Sequence, residues 1–336
     1  MYEPVSAVPG DHGLVHLALF YASGQQYREE VVSFIQGGLS SSEPVLAAVP
    51  GDQVQVLRDV LGGRGHDVAF ADMAVLGRNP ARIIPAVGTF MDQHPGQRVR
   101  CVDEPAWPGR SVEEAREIAR HEALVNQAFT GMAATILCPY DSRQLAPSVI
   151  NEAGGTHPYL LAEGQGQPNR TYLGPVVPPS CVSPLPPPPA TAESYEYYSG
   201  LRLLRQWVTR HASAAGLSPD RIADLVIAAS ELAANTLRHT PAAGTAHIWH
   251  TDDEILCQIH DQGEITDPLA GLRPGAHDGH GHGLWVVNQL CDLTEIRSDP
   301  GGTTIRVRMS LKPGQPDGIP SRQSPKTRPP PGPGPR

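Results

Sequence analysis

Aromatic residues are scarce, 5% of the 336 residues, and no run of about 18 apolar residues occurs that could form a helix across a bilayer. The opening stretch, MYEPVSAVPGDHG, lacks the basic and apolar regions of a secretory leader, so a soluble cytoplasmic protein is expected. Cysteine is sparse: Cys101, Cys138, Cys181, Cys257 and Cys291 are odd in number, far apart and form no CxxC pair. That excludes a disulfide scaffold and fits a reducing compartment. An excess of positive charge is also missing, since 26 Lys and Arg face 35 Asp and Glu for a net charge of −9. A dedicated nucleic-acid binder is therefore disfavoured, and neither direct nucleic-acid contact nor membrane association is expected. The first half has no GxxxxGK[ST] and no GxGxxG after a strand, which leaves phosphate binding there without a motif.

Proline and glycine are plentiful, at 35 and 34 residues, and cluster in two stretches. Residues 164–192 contain PVVPPSCVSPLPPPPAT, where successive prolines fix φ and remove amide donors, so a stiff interdomain linker is expected. Residues 311–336 repeat the pattern with few apolar groups and read as a disordered, locally basic tail. The linker divides a chain long enough for two domains of ordinary size.

Residues 12–163 alternate short apolar runs with helical patterns. HLALFYA, PVLAAVP, HDVAFAD, RVRCVDE and TILCPYD read as buried strands, and SVEEAREIARHEALVNQAF is one of the helices between them. This order predicts a doubly wound α/β domain with a mostly parallel sheet. Ligands of such sheets sit beyond the carboxyl ends of the strands, which brings Tyr21, Ser23, Pro50, Asp72, Glu104, Trp107, Tyr140 and Asp141 to one rim. Residues 193–310 show a different order, two helices and then a hairpin, a short helix and a last hairpin, which predicts an α+β layer structure. TTIRVRM places Ile305, Val307 and Met309 on one face by alternation.

The chemistry-bearing residues of the second half fall in four pieces. ELAANTLRHT puts Glu231 and Asn235 on one helical face. Asp261-Gln262-Gly263 ends an apolar strand, so a carboxylate can accept from an exocyclic amine while bare backbone approaches a planar base. Gly279-His280-Gly281-His282-Gly283-Leu284 opens a helix whose free N–H groups suit phosphate oxygens, and Gly302-Thr303-Thr304 enters the last strand. Singly these are ordinary: an exposed pair, a turn, an entry loop. His277, Asp278, His280 and His282 have spacings that could serve a metal, but no further ligand is indicated.

In this order the four pieces resemble the Bergerat-fold ATP-binding domain of the GHKL superfamily, and ELAANTLRHT, DQGEITDP and GHGLWVVNQLCDLTEIR look like its anti-sigma-factor serine/threonine kinase branch. The resemblance implies ATP and Mg²⁺ as cofactors, Asn235 as Mg²⁺ ligand and Glu231 as the general base. It further implies that Asp261 receives the adenine amine, with Gly263 beside it and Thr303 in support, while Gly281 and Gly283 cradle phosphates under a lid of residues 264–280. The lid lacks the basic residue common beside these glycines, which leaves Arg273 as the fallback phosphate partner. Implied partners are a sigma factor and an anti-anti-sigma protein of the STAS type, and a homodimer is compatible with the reading. Two alternatives stand beside the kinase: an ATP-gated sigma-binding module without transfer, and a sensor histidine kinase. The second would need an acceptor such as His121-Glu122, which lacks the flanking residues of an acceptor helix and reads as a helix-surface ion-pairing group.

In the first half, HLALFYASGQQYREEVVSFIQGGLSSSEPVLAAVP, RCVDEPAWPGRSVEEAREIARHEALVNQAF and ILCPYD resemble the MEDS-type sensory domain, a RecA-like module. That resemblance implies a small-molecule signal and no catalytic set. It singles out Glu104, Trp107, Glu122, Asn126, Cys138, Tyr140 and Asp141 as positions to test.

Overall fold

A computed structural model describes residues 13–240, 243–273 and 282–312. The five apolar runs become β1 (Leu14–Tyr21), β2 (Val45–Val49), β3 (Val68–Asp72), β4 (Val99–Asp103) and β5 (Ala134–Asp141), all paired in parallel. Both faces of β1, β2, β4 and β5 are covered, as their nearly continuous apolar runs require, whereas β3, expected to be a buried strand, lies at the sheet edge with only Val68 buried. The cover comes from α1 (Gly24–Ser40), α2 (Gly51–Leu61), α3 (Met73–Leu76), α4 (Ile83–Asp92), α5 (Val112–Ala128) and α6 (Pro147–Thr156). Helix α5 starts with a reciprocal capping box between Ser111 and Glu114, so its entry is fixed locally. A hairpin that the sequence reading did not anticipate, β6 (Tyr159–Ala162) and β7 (Gln165–Pro168), extends the sheet to seven strands in the order β3-β2-β4-β5-β1-β6-β7.

After the linker helix α7 (Pro179–Val182), a second sheet is built from β8 (Glu193–Tyr197), β9 (Gly244–His250), β10 (Glu254–Asp261), β11 (Leu293–Asp299) and β12 (Gly302–Ser310). It is antiparallel in the order β11-β12-β10-β9-β8, with the edge strand β8 also unforeseen. Helices α8 (Arg202–Ala214), α9 (Pro219–His239) and α10 (His282–Leu290) share a core with one sheet face, which includes Ile305, Val307 and Met309 as alternation predicts. Ser218 occupies the N-cap position of α9 with Pro219 behind it, but its side chain makes no capping bond.

The opposite sheet face is polar and yet buried. Arg297 and Arg306 are each under a tenth exposed, and Gln258 accepts from Arg306 at 2.7 and 3.0 Å. They are covered by the linker and the first domain. Arg297 pairs with Glu117 of α5 at 2.8 Å and donates to the Ser183 carbonyl of the linker at 3.0 Å, while Arg306 donates to the Pro186 carbonyl. The 164–192 stretch is therefore a wedge with its own contacts; Cys181 is buried and its thiol meets the Arg116 carbonyl at 3.1 Å. A second seam closes the carbonyl end of α10. Asn79 donates to the Asn288 carbonyl at 3.1 Å, and Arg82 donates to those of Asn288 at 3.0 Å, Gln289 at 2.6 Å and Cys291 at 3.0 Å. A cation and an amide at a helix C-terminus satisfy orphan carbonyls and complement the negative end of the helix dipole.

Removing one partner of a buried pair strands the other, at a cost of about 3–5 kcal/mol. Glu117→Ala should therefore loosen the docking, and limited proteolysis should cut residues 164–192 at a higher rate than in the parent protein. Equal cleavage rates would show that the Arg297 pair carries no weight in holding the halves together.

Candidate functional site

Helix α9 is built around an apolar stripe that includes Leu225, Ala228, Ala229, Leu232 and Ala233, which turns Glu231 and Asn235 toward the neighbouring helix start. There Gly283, in the first turn of α10, comes so close that an added Cβ would lie 2.8 Å from Glu231 Oε2 and 3.4 Å from Asn235 Nδ2. A side chain at this position would have to push the Glu231 carboxylate aside. Asn235 Oδ1 accepts from Arg238, one turn on, at 2.9 Å.

The residue after Asn235 ties the helix to the other end of the site. Thr236 Oγ1 donates to Asp261 Oδ2 at 2.6 Å, and Tyr197 O–H donates to Thr236 Oγ1 at 3.0 Å. The backbone N–H of Gly263 donates to Asp261 Oδ1 at 2.8 Å. Each carboxylate oxygen thus has one fixed donor and keeps acceptor capacity for another. Thr303 sits across the ladder from Asp261 and donates directly to the Gly263 carbonyl at 2.7 Å, and its hydroxyl also meets Ser298 Oγ at 2.7 Å. The chain is bare where it must be: a Cβ at Gly263 would lie 2.8 Å from Thr240 Cγ2, and one at Gly302, where φ is +139°, would lie 2.4 Å from the Asp261 carbonyl oxygen.

The structure thus brings together Glu231, Asn235 and Gly283, and links them through Thr236 to Asp261, Gly263 and Thr303. Arg273 is elsewhere: it donates to the carbonyl of Ala128, the last residue of α5. Leu269 and Leu272, at the root of the lid segment, pack on the core of the first domain. Gly281, His277, Asp278 and His280 lie outside the described residues. Thr236, Tyr197, Ser298 and Arg238 were not singled out from sequence; the threonine and arginine are inside ELAANTLRHT, so a wider reading of that motif could have found them.

The expected rim of the first domain serves several purposes. Ser23 and Asp72 cap α1 and α3, and Asp141 accepts from the Arg143 N–H at 2.9 Å and Gln144 at 2.6 Å. Trp107 lies under the Arg110 guanidinium, 3.5 Å from its ring centroid. Glu104 is buried past the end of β4 and accepts from Tyr27 O–H at 2.7 Å; burial, with Asp52 and Asp141 nearby, pushes its carboxyl up to about 8. Glu122, Asn126, Cys138 and Tyr140 lie instead inside the domain, together with His16 and His157. The surface reading of His121-Glu122 is incorrect, because both are buried, His121 against Asp103 at 3.2 Å. The inner face of α5 is packed on the sheet, so its polar groups turn inward.

Fold and site together define a two-domain protein with a parallel-sheet α/β unit ahead of an ATPase-like α+β unit. Residues 15–158 match the family model MEDS, MEthanogen/methylotroph, DcmR Sensory domain, and residues 198–309 match that of the Histidine kinase-like ATPase domain. The chain carries a MEDS domain at its N-terminal side and a GHKL-like ATPase domain after it, and the latter implies ATP binding. Among solved structures, the RsbU and RsbW domains of Rv1364c from Mycobacterium tuberculosis are similar at 19% identity over 37% of this chain, with a TM-score of 0.28. The match covers 34% of that chain. No curated protein matches this sequence. Among the described residues no helix is long and apolar enough to cross a membrane.

A methyl at Gly283 would push the flexible Glu231 carboxylate aside and narrow the approach to the helix start, at little cost to the fold. Gly283→Ala should then weaken ATP binding roughly tenfold or more by calorimetry, at unchanged helix content. A second outcome follows from Glu104. Its folded carboxyl titrates above the unfolded value, so its contribution to stability is complete below about pH 4.5 and is lost as pH rises through about 8. The loss should approach about 1.4 kcal/mol per pH unit within that window, and Glu104→Gln should flatten it in denaturant titrations at several pH values.

Proposed function

We propose that this chain is a cytoplasmic anti-sigma regulatory factor that binds ATP and Mg²⁺ in residues 193–310 and phosphorylates a serine or threonine of a STAS-type anti-anti-sigma partner. Residues 12–163 act as its sensory input. The observation that carries the reading is the meeting of Glu231 and Asn235 with the bare start of α10, on a helix whose next residue, Thr236, holds the Asp261 carboxylate. An acceptor for an amine at one end, and a carboxylate and an amide beside free helix N–H groups at the other, suit an adenine nucleotide with a divalent cation.

Asp261, held by Thr236 and Gly263, accepts from the adenine amine, and Thr303 fixes the loop that carries Gly263. The helix start at Gly283, together with Gly281, receives phosphate oxygens. Asn235 would hold Mg²⁺ through the Oδ1 that now accepts from Arg238. ATP with its cation supplies the phosphoryl group and the neutralising charge. Glu231 takes the proton of the incoming hydroxyl. Charge added to the partner weakens its hold on this protein, which frees the surface that captures the sigma factor.

The strand order β3-β2-β4-β5-β1 supports a RecA-like reading of the first domain. Its control over the second has a physical route, since the lid root rests on the first domain through Leu269, Leu272 and Arg273. One observation favours a second reading, nucleotide-gated sequestration without transfer: Arg273, the fixed cation of the lid, is engaged by Ala128 and not by the phosphate site.

Labelled ATP, Mg²⁺ and a STAS-type substrate decide between the two. Transfer should occur and fall by about 10²–10⁴-fold in Glu231→Ala, with ATP affinity within a few fold of the parent. Tight nucleotide binding with no label on the substrate would leave the sequestration reading in its place.

A further inference from the structure

Deep in the first domain, four side chains from four separate elements point at one another. His16 is on β1, Glu122 on α5, Cys138 on β5, and His157 follows α6; all are under 2% exposed. Glu122 Oε2 lies 3.2 Å from His16 Nε2, 3.4 Å from His157 Nε2 and 3.6 Å from Cys138 Sγ, and the last is 3.4 Å from His16 Nε2. One ligand atom from each of the four lies within 4.8 Å of every other. For a tetrahedral ion with nitrogen or oxygen at about 2.0 Å and sulfur at about 2.3 Å, the edges are about 3.3 Å between two light ligands and about 3.6 Å to sulfur. The four measured edges are already at those lengths.

The outer hydrogen bonds fix which atoms face inward. Asn126 Nδ2 donates to the Thr156 carbonyl at 2.8 Å, so its Oδ1 faces His16 Nδ1 at 3.2 Å and accepts a proton from it. His157 Nδ1 donates to the Ala153 carbonyl at 2.8 Å. Both rings therefore carry hydrogen on Nδ1, and as neutral imidazoles they turn the Nε2 lone pair toward the carboxylate, whose other oxygen accepts from Tyr140 O–H at 2.6 Å. His157 Nε2 has no hydrogen-bond partner although it is fully buried. Two imidazole lone pairs facing a carboxylate leave acceptors against acceptors, and a single thiol proton satisfies only one of them. A divalent cation satisfies all four. A histidine with its second ring nitrogen tied to a fixed acceptor is also the usual arrangement of a metal ligand.

We infer that His16, Glu122, Cys138 and His157 form a closed site for a zinc-class divalent metal ion, bound through two neutral imidazoles, one carboxylate and one thiolate. On binding, the cysteine S–H bond is broken, its proton leaves to solvent, and the sulfur takes the metal in its place. A dication with one carboxylate and one thiolate is neutral as a set, which suits a fully buried position. Four protein ligands leave no open coordination position, so the site holds structure or reports on metal and does not activate a substrate. Helix α5 carries Glu122 at this site and Glu117 at the domain seam, so the ion lies close to the contact with the ATPase-like half.

The full chain, expressed in medium supplemented with Zn²⁺ or Co²⁺ and freed of loosely held metal by a weak chelator, tests this. About one ion per chain is expected by elemental analysis, and the Co²⁺ form should show intense tetrahedral bands with a thiolate charge-transfer band. Cys138→Ala should lower the content at least about tenfold with unchanged far-ultraviolet dichroism, whereas His280→Ala/His282→Ala should keep it. Should Cys138→Ala fail to fold, the parent's Co²⁺ spectrum decides: tetrahedral bands with thiolate character support the site, and weak octahedral bands overturn it. Folded parent protein with under about 0.1 ion per chain, or metal lost from the His280/His282 variant and kept by Cys138→Ala, also overturns it.

Discussion

The guanidinium of Arg297 is buried where three parts of the chain meet. It holds the Glu117 carboxylate of the first domain, the Ser183 carbonyl of the linker, and the Ile296 carbonyl of its own strand at 2.9 Å. A charge out of water keeps its place only while these partners stay, because separating the domains would strand it. Glu117 is exposed to the same constraint from the other side, and Arg120 adds a bond from α5 to the Ile296 carbonyl at 2.8 Å. The polar face of the second sheet therefore makes sense as half of an interior whose other half is the first domain.

That docking bears directly on the nucleotide site through α10. This helix has nine residues, so its two ends are little more than two turns apart. Its first turn stands against Glu231 and Asn235, and its last carbonyls are closed by Asn79 and Arg82 of the first domain. The helix that presents N–H groups to the proposed phosphates is thus held from behind by the first domain. Asn288 adds to this hold, since its Nδ2 donates to the Gly271 carbonyl at the lid root at 3.0 Å. Gly271 has φ of +77°, and a Cβ there would lie 2.6 Å from Leu284, so the lid leaves the helix along a path that only glycine allows.

What the sequence disclosed and what it hid follow one rule. Patterns within a segment were legible: the five parallel strands and the alternation in β12 rest on neighbours in sequence, whereas Glu231, Asn235, Asp261 and Gly283 were singled out only through the resemblance of four separated pieces. The short strands β6, β7 and β8 are not legible because runs of four or five residues carry little periodic signal. Arg306 and Arg308 alternate with the apolar residues of β12, and alternation shows that a face is polar and not that another domain covers it. Glu122 and Cys138 are singled out by the family resemblance, but that they meet His16 and His157 in one cluster lay beyond reach for a similar reason. Each is ordinary alone, and only the pairing of β1 with β5 and the packing of α5 and α6 on that pair make them neighbours.

Helix α5 joins these hidden features. Glu117 and Glu122 are five residues apart, about 140° around the axis, so one faces the second domain while the other faces the sheet interior. Ala128 at its end takes the Arg273 donor from the lid. The capping box at Ser111 and the buried contacts along its length make it a rigid body. A change at the Glu122 end that turned or shifted the helix would then move Glu117 against Arg297 and Ala128 against the lid root together. One is a buried ion pair and the other a bond to a single carbonyl, and both depend on where α5 lies. Helix α5 is thus a two-faced mechanical link between the interior of the first domain and the contacts that Glu117 and Ala128 make with the second.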